Sequence, residues 1–168
     1  LGSGKTTFLR KYVQYLIQQG HNVCILENDF GAVNVDAMLL QDLIGERCDI
    51  ETISGGCDCD THQRRMRTKL ISMAMRGFDR VVIEPSGIFD VDEFYDILRD
   101  EPLDRWYALG NVVAIVDARL EDTLSTQAEY LLASEAASAG LVVMSRARQA
   151  SCAQAEAVVA HLNRALAA

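Results

Sequence analysis

Three runs in this chain are apolar without alternation: Val81-Val82-Ile83, Val112 to Val116, and Leu141 to Met144. A strand with no polar side has no face for solvent, so it belongs in a parallel sheet covered by helices on both sides. Val23-Cys24-Ile25-Leu26 reads the same way, and Asp49 to Ile53 reads as a further strand that ends at Ser54-Gly55-Gly56. Stretches of helical period lie between these runs. Phe8, Leu9, Tyr12, Val13, Leu16 and Ile17 recur at three- and four-residue steps, and Gly20 follows as a C-terminal stop. A short apolar helix is expected around Val35 to Ile44. A longer one, capped by Thr61 and closed by Gly77, carries the inner stripe Met66, Leu70, Met73 and Ala74. Helices near 91–100, 120–138 and 151–167 supply the remaining covers. The pattern predicts a three-layer α/β domain with a mainly parallel sheet. With no repeat, low-complexity tract or linker, one domain is expected over residues 1–168.

Composition narrows the function classes. At 168 residues the chain has the size of one domain with a real core. Its 16 basic and 24 acidic residues give a net charge of -8, which argues against a broad contact surface for a nucleic-acid backbone. No apolar run approaches the roughly 18 residues of a membrane span. Five cysteines, unevenly placed, do not make a disulfide scaffold. No leader peptide is expected, because residue 1 already stands inside a motif, and the cytoplasm is the expected location.

That motif is Leu1-Gly2-Ser3-Gly4-Lys5-Thr6-Thr7, the last part of the phosphate-loop pattern G-x-x-x-x-G-K-[ST]. Its glycines let the backbone curl so that N–H groups converge on phosphate oxygens, and the helix behind adds its positive end. Gly2, Ser3, Gly4 and Thr7 belong to this cradle. Lys5 is placed to reach the β- and γ-phosphates, and Thr6 to offer its hydroxyl to Mg²⁺. The plainer reading is a glycine-rich turn before an ordinary helix, but Gly-Lys-Thr here opens an amphipathic helix, the context the motif requires. The first glycine of the pattern and the strand before it do not appear. The sheet is therefore expected to lack its first strand, as in an N-terminally truncated domain.

The order of motifs resembles the CobW-like metallochaperone GTPases, relatives of the UreG and HypB nickel-insertion proteins. The matching segments are Gly2 to Thr6, Glu27-Asn28-Asp29-Phe30-Gly31, Gly56-Cys57-Asp58-Cys59-Asp60, Glu84-Pro85-Ser86-Gly87 and Val116-Asp117-Ala118. They cover nearly the whole chain in order. The resemblance implies a nucleotide-binding domain whose relatives continue into a smaller C-terminal domain that this sequence lacks. There are two departures. Asp60 stands where the family has a third cysteine, and Ser145-Arg146-Ala147-Arg148 stands where its (Asn/Thr)-Lys-x-Asp base-reading motif belongs. Arg148 cannot accept hydrogen bonds from a base, which leaves GTP against ATP open.

Glu84 ends an apolar strand at the edge where α/β sheets bind ligands, so its carboxylate can hold Mg²⁺ directly or through water. It could instead cap the next helix. Gly87 can present a bare backbone N–H to the γ-phosphate. Asp29 resembles the switch residue that approaches the same Mg²⁺, and reads equally well as a turn aspartate. Cys57 and Cys59 point the same way if their loop is extended, and thiolates suit zinc or similar ions; the alternative is a pair of reduced thiols in a tight loop. Glu27 matches a family position implicated in metal binding. Cys24 reads as core, Met66 and Met73 as core at helical spacing, His21 and His161 as surface residues, and Arg64, Arg65 and Arg67 as a solvated helix face. Together with these features, the resemblance implies a nucleoside triphosphatase using GTP or another triphosphate with Mg²⁺, coupled to metal delivery to a metalloprotein client. A P-loop small-molecule kinase and a non-hydrolysing nucleotide sensor or partner-binding module are the alternatives.

Overall fold

Every apolar run forms a strand in the computed structural model, which describes residues 3–29, 35–54, 59–85, 91–120 and 123–167. The elements run α1 (Lys5–Gln18), β1 (Val23–Asp29), α2 (Val35–Leu40) with a 3₁₀ turn (Gln41–Leu43), β2 (Cys48–Ser54), α3 (Cys59–Met75) and β3 (Arg80–Glu84). Then follow α4 (Val91–Arg99), α5 (Leu103–Trp106), β4 (Val113–Asp117), α6 (Thr126–Ala137), β5 (Leu141–Ser145), a 3₁₀ turn (Ala147–Gln149) and α7 (Cys152–Ala167). The chain divides into two compact units, Thr6–Ala108 and Leu1–Lys5 with Leu109–Ala168. The strands form two parallel sheets, β2-β1-β3 in the first of these units and β4-β5 in the second, and every strand pairing in them is parallel.

In the unit Thr6–Ala108 the central strand β1 is buried on both faces, which makes three layers. Val23 and Ile25 face one way, into a core with Leu9, Val13 and Leu16 of α1, Leu40 of α2 and Cys48 of β2. Cys24 and Leu26 face the other, into Ile53, Met66, Leu70 and Met73, with Ile97 of α4 and Leu103 of α5. Burial pushes the Cys24 thiol up to about 12 and the Cys48 thiol to about 11, so both are inert apolar groups. On the α3 side of β2, Asp49 and Glu51 pair with Arg76, and Lys69 closes on Glu51 at 2.5 Å. The Tyr107 hydroxyl donates to the Leu70 carbonyl at 2.7 Å, tying the end of this unit to α3.

In the other unit, Val116 of β4 packs on Ala136 of α6 and on Val158 and Leu162 of α7, with Met144 of β5 alongside. These contacts gather at the carboxyl ends of the strands. Leu141 and Val142, at the start of β5, therefore stay 50% and 39% exposed, short of the two-sided burial their sequence predicts.

Several expectations shift. α3 begins at Cys59, so Thr61 falls in its first turn and is not its cap. α6 begins only at Thr126, because Ser125 caps it by accepting from the Ala128 N–H at 3.2 Å. α5 was not foreseen, since four residues are too short for a period to show. His161 is 4% exposed and not on the surface: it continues the inner stripe of Val158 and Leu162, and its Nε2 lies 2.9 Å from Glu129 on α6. His21 is half-buried. Cys24, Met66 and Met73 are core, and Arg64 and Arg65 are exposed, as expected. No described helix is long and apolar enough to cross a membrane.

Candidate nucleotide and metal site

The turn before α1 is shaped by a glycine. Gly4 has φ +92°, a conformation that strains any side chain, and a Cβ there would meet the Cβ of Ser145 at 3.3 Å. The Ser145 hydroxyl donates to the carbonyl of Ser3, which fastens this turn to the end of β5. Lys5 opens α1 and is exposed, Thr6 is half-buried, and Thr7 is exposed.

One turn of helix and the ends of two strands then bring oxygen atoms together. The Thr6 hydroxyl donates to Glu84 Oε1 at 3.2 Å across 78 residues of chain. Glu84 is the last residue of β3, and the parallel register sets it beside Glu27 on β1. Side chains of registered residues in neighbouring strands share a face, here the face that carries Val23, Ile25 and α1. Glu27 is 3% exposed. Two carboxylates and a hydroxyl at the carboxyl end of a parallel sheet make a hard, oxygen-only donor set, the chemistry Mg²⁺ selects.

A second polar cluster closes the β4-β5 sheet. Asp117 and Ser145 are register partners at its carboxyl end. Arg119 hydrogen-bonds Asp117 through its backbone N–H at 3.0 Å and its side chain at 3.2 and 3.3 Å, and Arg146 donates to Oδ2, an oxygen that Arg119 also bonds. These bonds, those from Arg119 foremost, hold the Asp117 carboxyl well below the usual carboxylate range. Arg146 takes a left-handed backbone, φ 54°, and is the one non-glycine residue at positive φ among those described. Arg148 is exposed in the following 3₁₀ turn.

Against the sequence expectations, Thr6 and Glu84 are together, and Glu27 lies beside Glu84. Asp29 ends β1 and Cys59 opens α3, but their side chains lie outside the described residues, as do Gly2, Cys57 and Gly87 altogether. Among the described residues no group of three or more His, Cys, Asp or Glu could hold a metal ion. Sequence reasoning missed the role of Ser145 as the partner of the glycine turn, and the closure of Asp117 by two arginines. The first had no signal; the second had Asp117 and Arg146 in view but no way to see them converge with Arg119.

The family model of the CobW/HypB/UreG nucleotide-binding domain matches residues 1–168. The chain belongs to the CobW/HypB/UreG family. It is similar to the zinc chaperone YjiA of Escherichia coli (strain K12), 35% identical over 129 residues, which are 70% of this chain and 38% of that protein. Zinc chaperone YeiR of the same organism is 31% identical over 121 residues, 71% of this chain and 36% of YeiR. Zinc chaperone CobW of Sinorhizobium sp is 34% identical over 94 residues, 52% of this chain and 26% of that protein. The chain thus spans well under half the length of the curated relatives it matches. Membership makes it a CobW-like nucleotide-binding domain of the P-loop kind, and gives the turn before α1 and the Thr6–Glu84 contact a family setting.

Proposed function

We propose that this domain binds and hydrolyses a nucleoside triphosphate, GTP or another, and couples its nucleotide state to delivery of zinc or a similar ion to a client metalloprotein in the cytoplasm. The observation that carries the reading is the Thr6–Glu84 hydrogen bond, which joins the helix start of the phosphate motif to the carboxylate at the end of β3. Gly2, Ser3, Gly4, Lys5, Thr6 and Thr7 would cradle the phosphates, Lys5 as the cation, and Gly87 would offer its N–H to the γ-phosphate. The donor set fits Mg²⁺, which Thr6 and Glu84 would hold, with Asp29 approaching. The ion supplies neutralisation of phosphate charge. Glu84 holds its oxygen toward the Thr6 hydroxyl in a half-buried contact.

Transition-metal cargo would take Glu27 together with Cys57 and Cys59. The similarity to proteins named zinc chaperones supports the cargo, and Glu27 supports the link, because it is registered beside Glu84 on one strand and beside Thr52 on the strand that precedes the cysteines in sequence. Linkage requires that if nucleotide shifts zinc affinity, zinc shifts nucleotide affinity by the same factor. Zinc affinity, read by competition with a chelating dye with and without a non-hydrolysable triphosphate, tests this. Cys57→Ser/Cys59→Ser should weaken zinc at least about tenfold, the typical scale for loss of ligand support, and triphosphate should move the wild-type value. Zinc binding that persists in the double variant defeats the metal site; cysteine-dependent binding that ignores nucleotide defeats the coupling. Phosphate release with Mg²⁺ alone, abolished in Thr6→Ala, separates the hydrolase from a sensor that only binds.

A further inference from the structure

The strand end that meets the glycine turn is held from two sides. Ser145 is the last residue of β5, and both of its oxygens are engaged. Its carbonyl accepts from the Ala118 N–H at 3.0 Å, one step beyond the end of β4, and its hydroxyl donates to the Ser3 carbonyl. The next residue, Arg146, turns the chain with φ 54° and ψ 22°. A residue with a side chain keeps that left-handed backbone only where its surroundings hold it. Two bonds do so here. The Arg146 guanidinium donates to Asp117 Oδ2, and the Arg146 carbonyl accepts from the Gln149 N–H at 2.8 Å. Asp117 is in turn the register partner of Ser145. All of these residues, with Ser3 and Gly4, belong to the unit Leu1–Lys5 with Leu109–Ala168.

The hydroxyl contact has a directional consequence. The Ser3 carbonyl and the Gly4 N–H share one trans peptide plane, so they point in opposite directions. Fixing the carbonyl on Ser145 therefore aims the Gly4 N–H away from β5. Gly4, at φ +92°, resists a flip of that plane weakly by itself, because glycine takes either sign of φ readily. A flipped plane would put an acceptor where a phosphate cradle needs converging donors.

We infer that Ser145 is a positioning residue for the phosphate loop, locking the Ser3–Gly4 peptide with its N–H toward the nucleotide, and that the Asp117–Arg146 pair holds Ser145 in place for that task. The inference rests on the nucleotide reading of the glycine turn and deepens it. Ser145 acts through the Gly4 N–H, and Asp117 acts through Arg146 and Ser145. A methyl group at position 145 would fill much of the same space, but it could not hold the carbonyl.

The test is a titration of a fluorescent triphosphate with Mg²⁺, at a temperature where thermal melts show every protein folded. The proteins are wild type, Ser145→Ala, Ser145→Thr, Asp117→Asn, the Ser145→Ala/Asp117→Asn double variant and Lys5→Ala. Ser145→Ala should bind about three- to tenfold more weakly, the scale of one neutral hydrogen bond. Ser145→Thr keeps the hydroxyl and should bind as wild type does. Asp117→Asn should lose less than Ser145→Ala. The double variant should bind like Ser145→Ala alone, because one chain of contacts is cut twice. In protein carrying nitrogen-labelled glycine, triphosphate should shift the Gly4 amide resonance in wild type and Ser145→Thr, and shift it less in Ser145→Ala. A general loosening of the fold would not single out that amide. Wild-type affinity in Ser145→Ala, with Lys5→Ala weakened, overturns the inference and leaves the nucleotide reading standing. Equal losses in Ser145→Thr and Ser145→Ala overturn it as well, since the hydroxyl would then not be the cause. Additive losses in the double variant overturn the part assigned to Asp117. Equal affinities of Lys5→Ala and wild type would remove the nucleotide reading, and this inference with it.

Discussion

The β2-β1-β3 sheet and the β4-β5 sheet are built from the same kind of sequence and end up differently buried. In β1, Val23, Cys24, Ile25 and Leu26 are all 0% exposed, because helices cover both faces. In β5, Leu141 and Val142 remain open, and burial begins only toward Met144. At their carboxyl ends the two sheets are alike in kind, since each ends on acidic or hydroxyl side chains: Glu27 and Glu84 in one, Asp117 and Ser145 in the other. Apolar content alone does not set burial; what packs on the strand does. The polar ends carry the chemistry in both.

The largest expected effect separates the two cores. Leu26→Ala removes a fully buried side chain from between β1 and α3 and should cost about 2–5 kcal/mol. Leu141→Ala, at a half-open position, should cost under about 1 kcal/mol. Denaturant titrations of both variants read the difference. Equal losses would mean that β5 is covered as fully as β1, and the contrast would collapse.

A smaller effect sharpens the comparison at the charged ends. Asp117 is held below its ordinary value of 3.8 by Arg119 and then Arg146, so it stabilises the fold above that value. That contribution fades as pH falls below 3.8 through the lower folded-state value and the carboxylate is protonated. Asp117→Asn should therefore melt lower than wild type at pH 7, with the gap closing in strong acid. Asp49 in the other unit is likewise held low, chiefly by Arg76. Asp49→Asn should matter less, because Arg76 keeps Glu51 at 2.8 Å. A gap between wild type and Asp117→Asn that widens on acidification would reverse the sign and refute the assignment.

All five strands were legible because each is an unbroken apolar run or is followed in sequence by Gly-Gly, and the long helices were legible from period. The boundaries were less so. Thr61 looks like a cap only until Cys59 and Asp60 are seen to be helical, and Ser125 outcompetes the apolar pattern upstream of it. His161 shows why residue type misleads: its place on the Val158–Leu162 stripe was readable from spacing, but a histidine is usually assigned to the surface. Of the site, the residue identities at Lys5, Thr6 and Glu84 were readable from motif order. Their convergence was not, because Thr6 and Glu84 meet across 78 residues and only the parallel register of β1 and β3 puts Glu27 beside them. Arg146 gave no hint of its left-handed backbone.

The central claim is that the glycine turn and the start of α1 bind a nucleoside triphosphate. The most direct test is a titration of a fluorescent triphosphate, with Mg²⁺ present, against wild type and Lys5→Ala. Lys5 is exposed, so the substitution leaves the core intact. Loss of its charge-assisted contact should weaken binding about ten- to a hundredfold. Equal affinities in the two proteins would contradict the account.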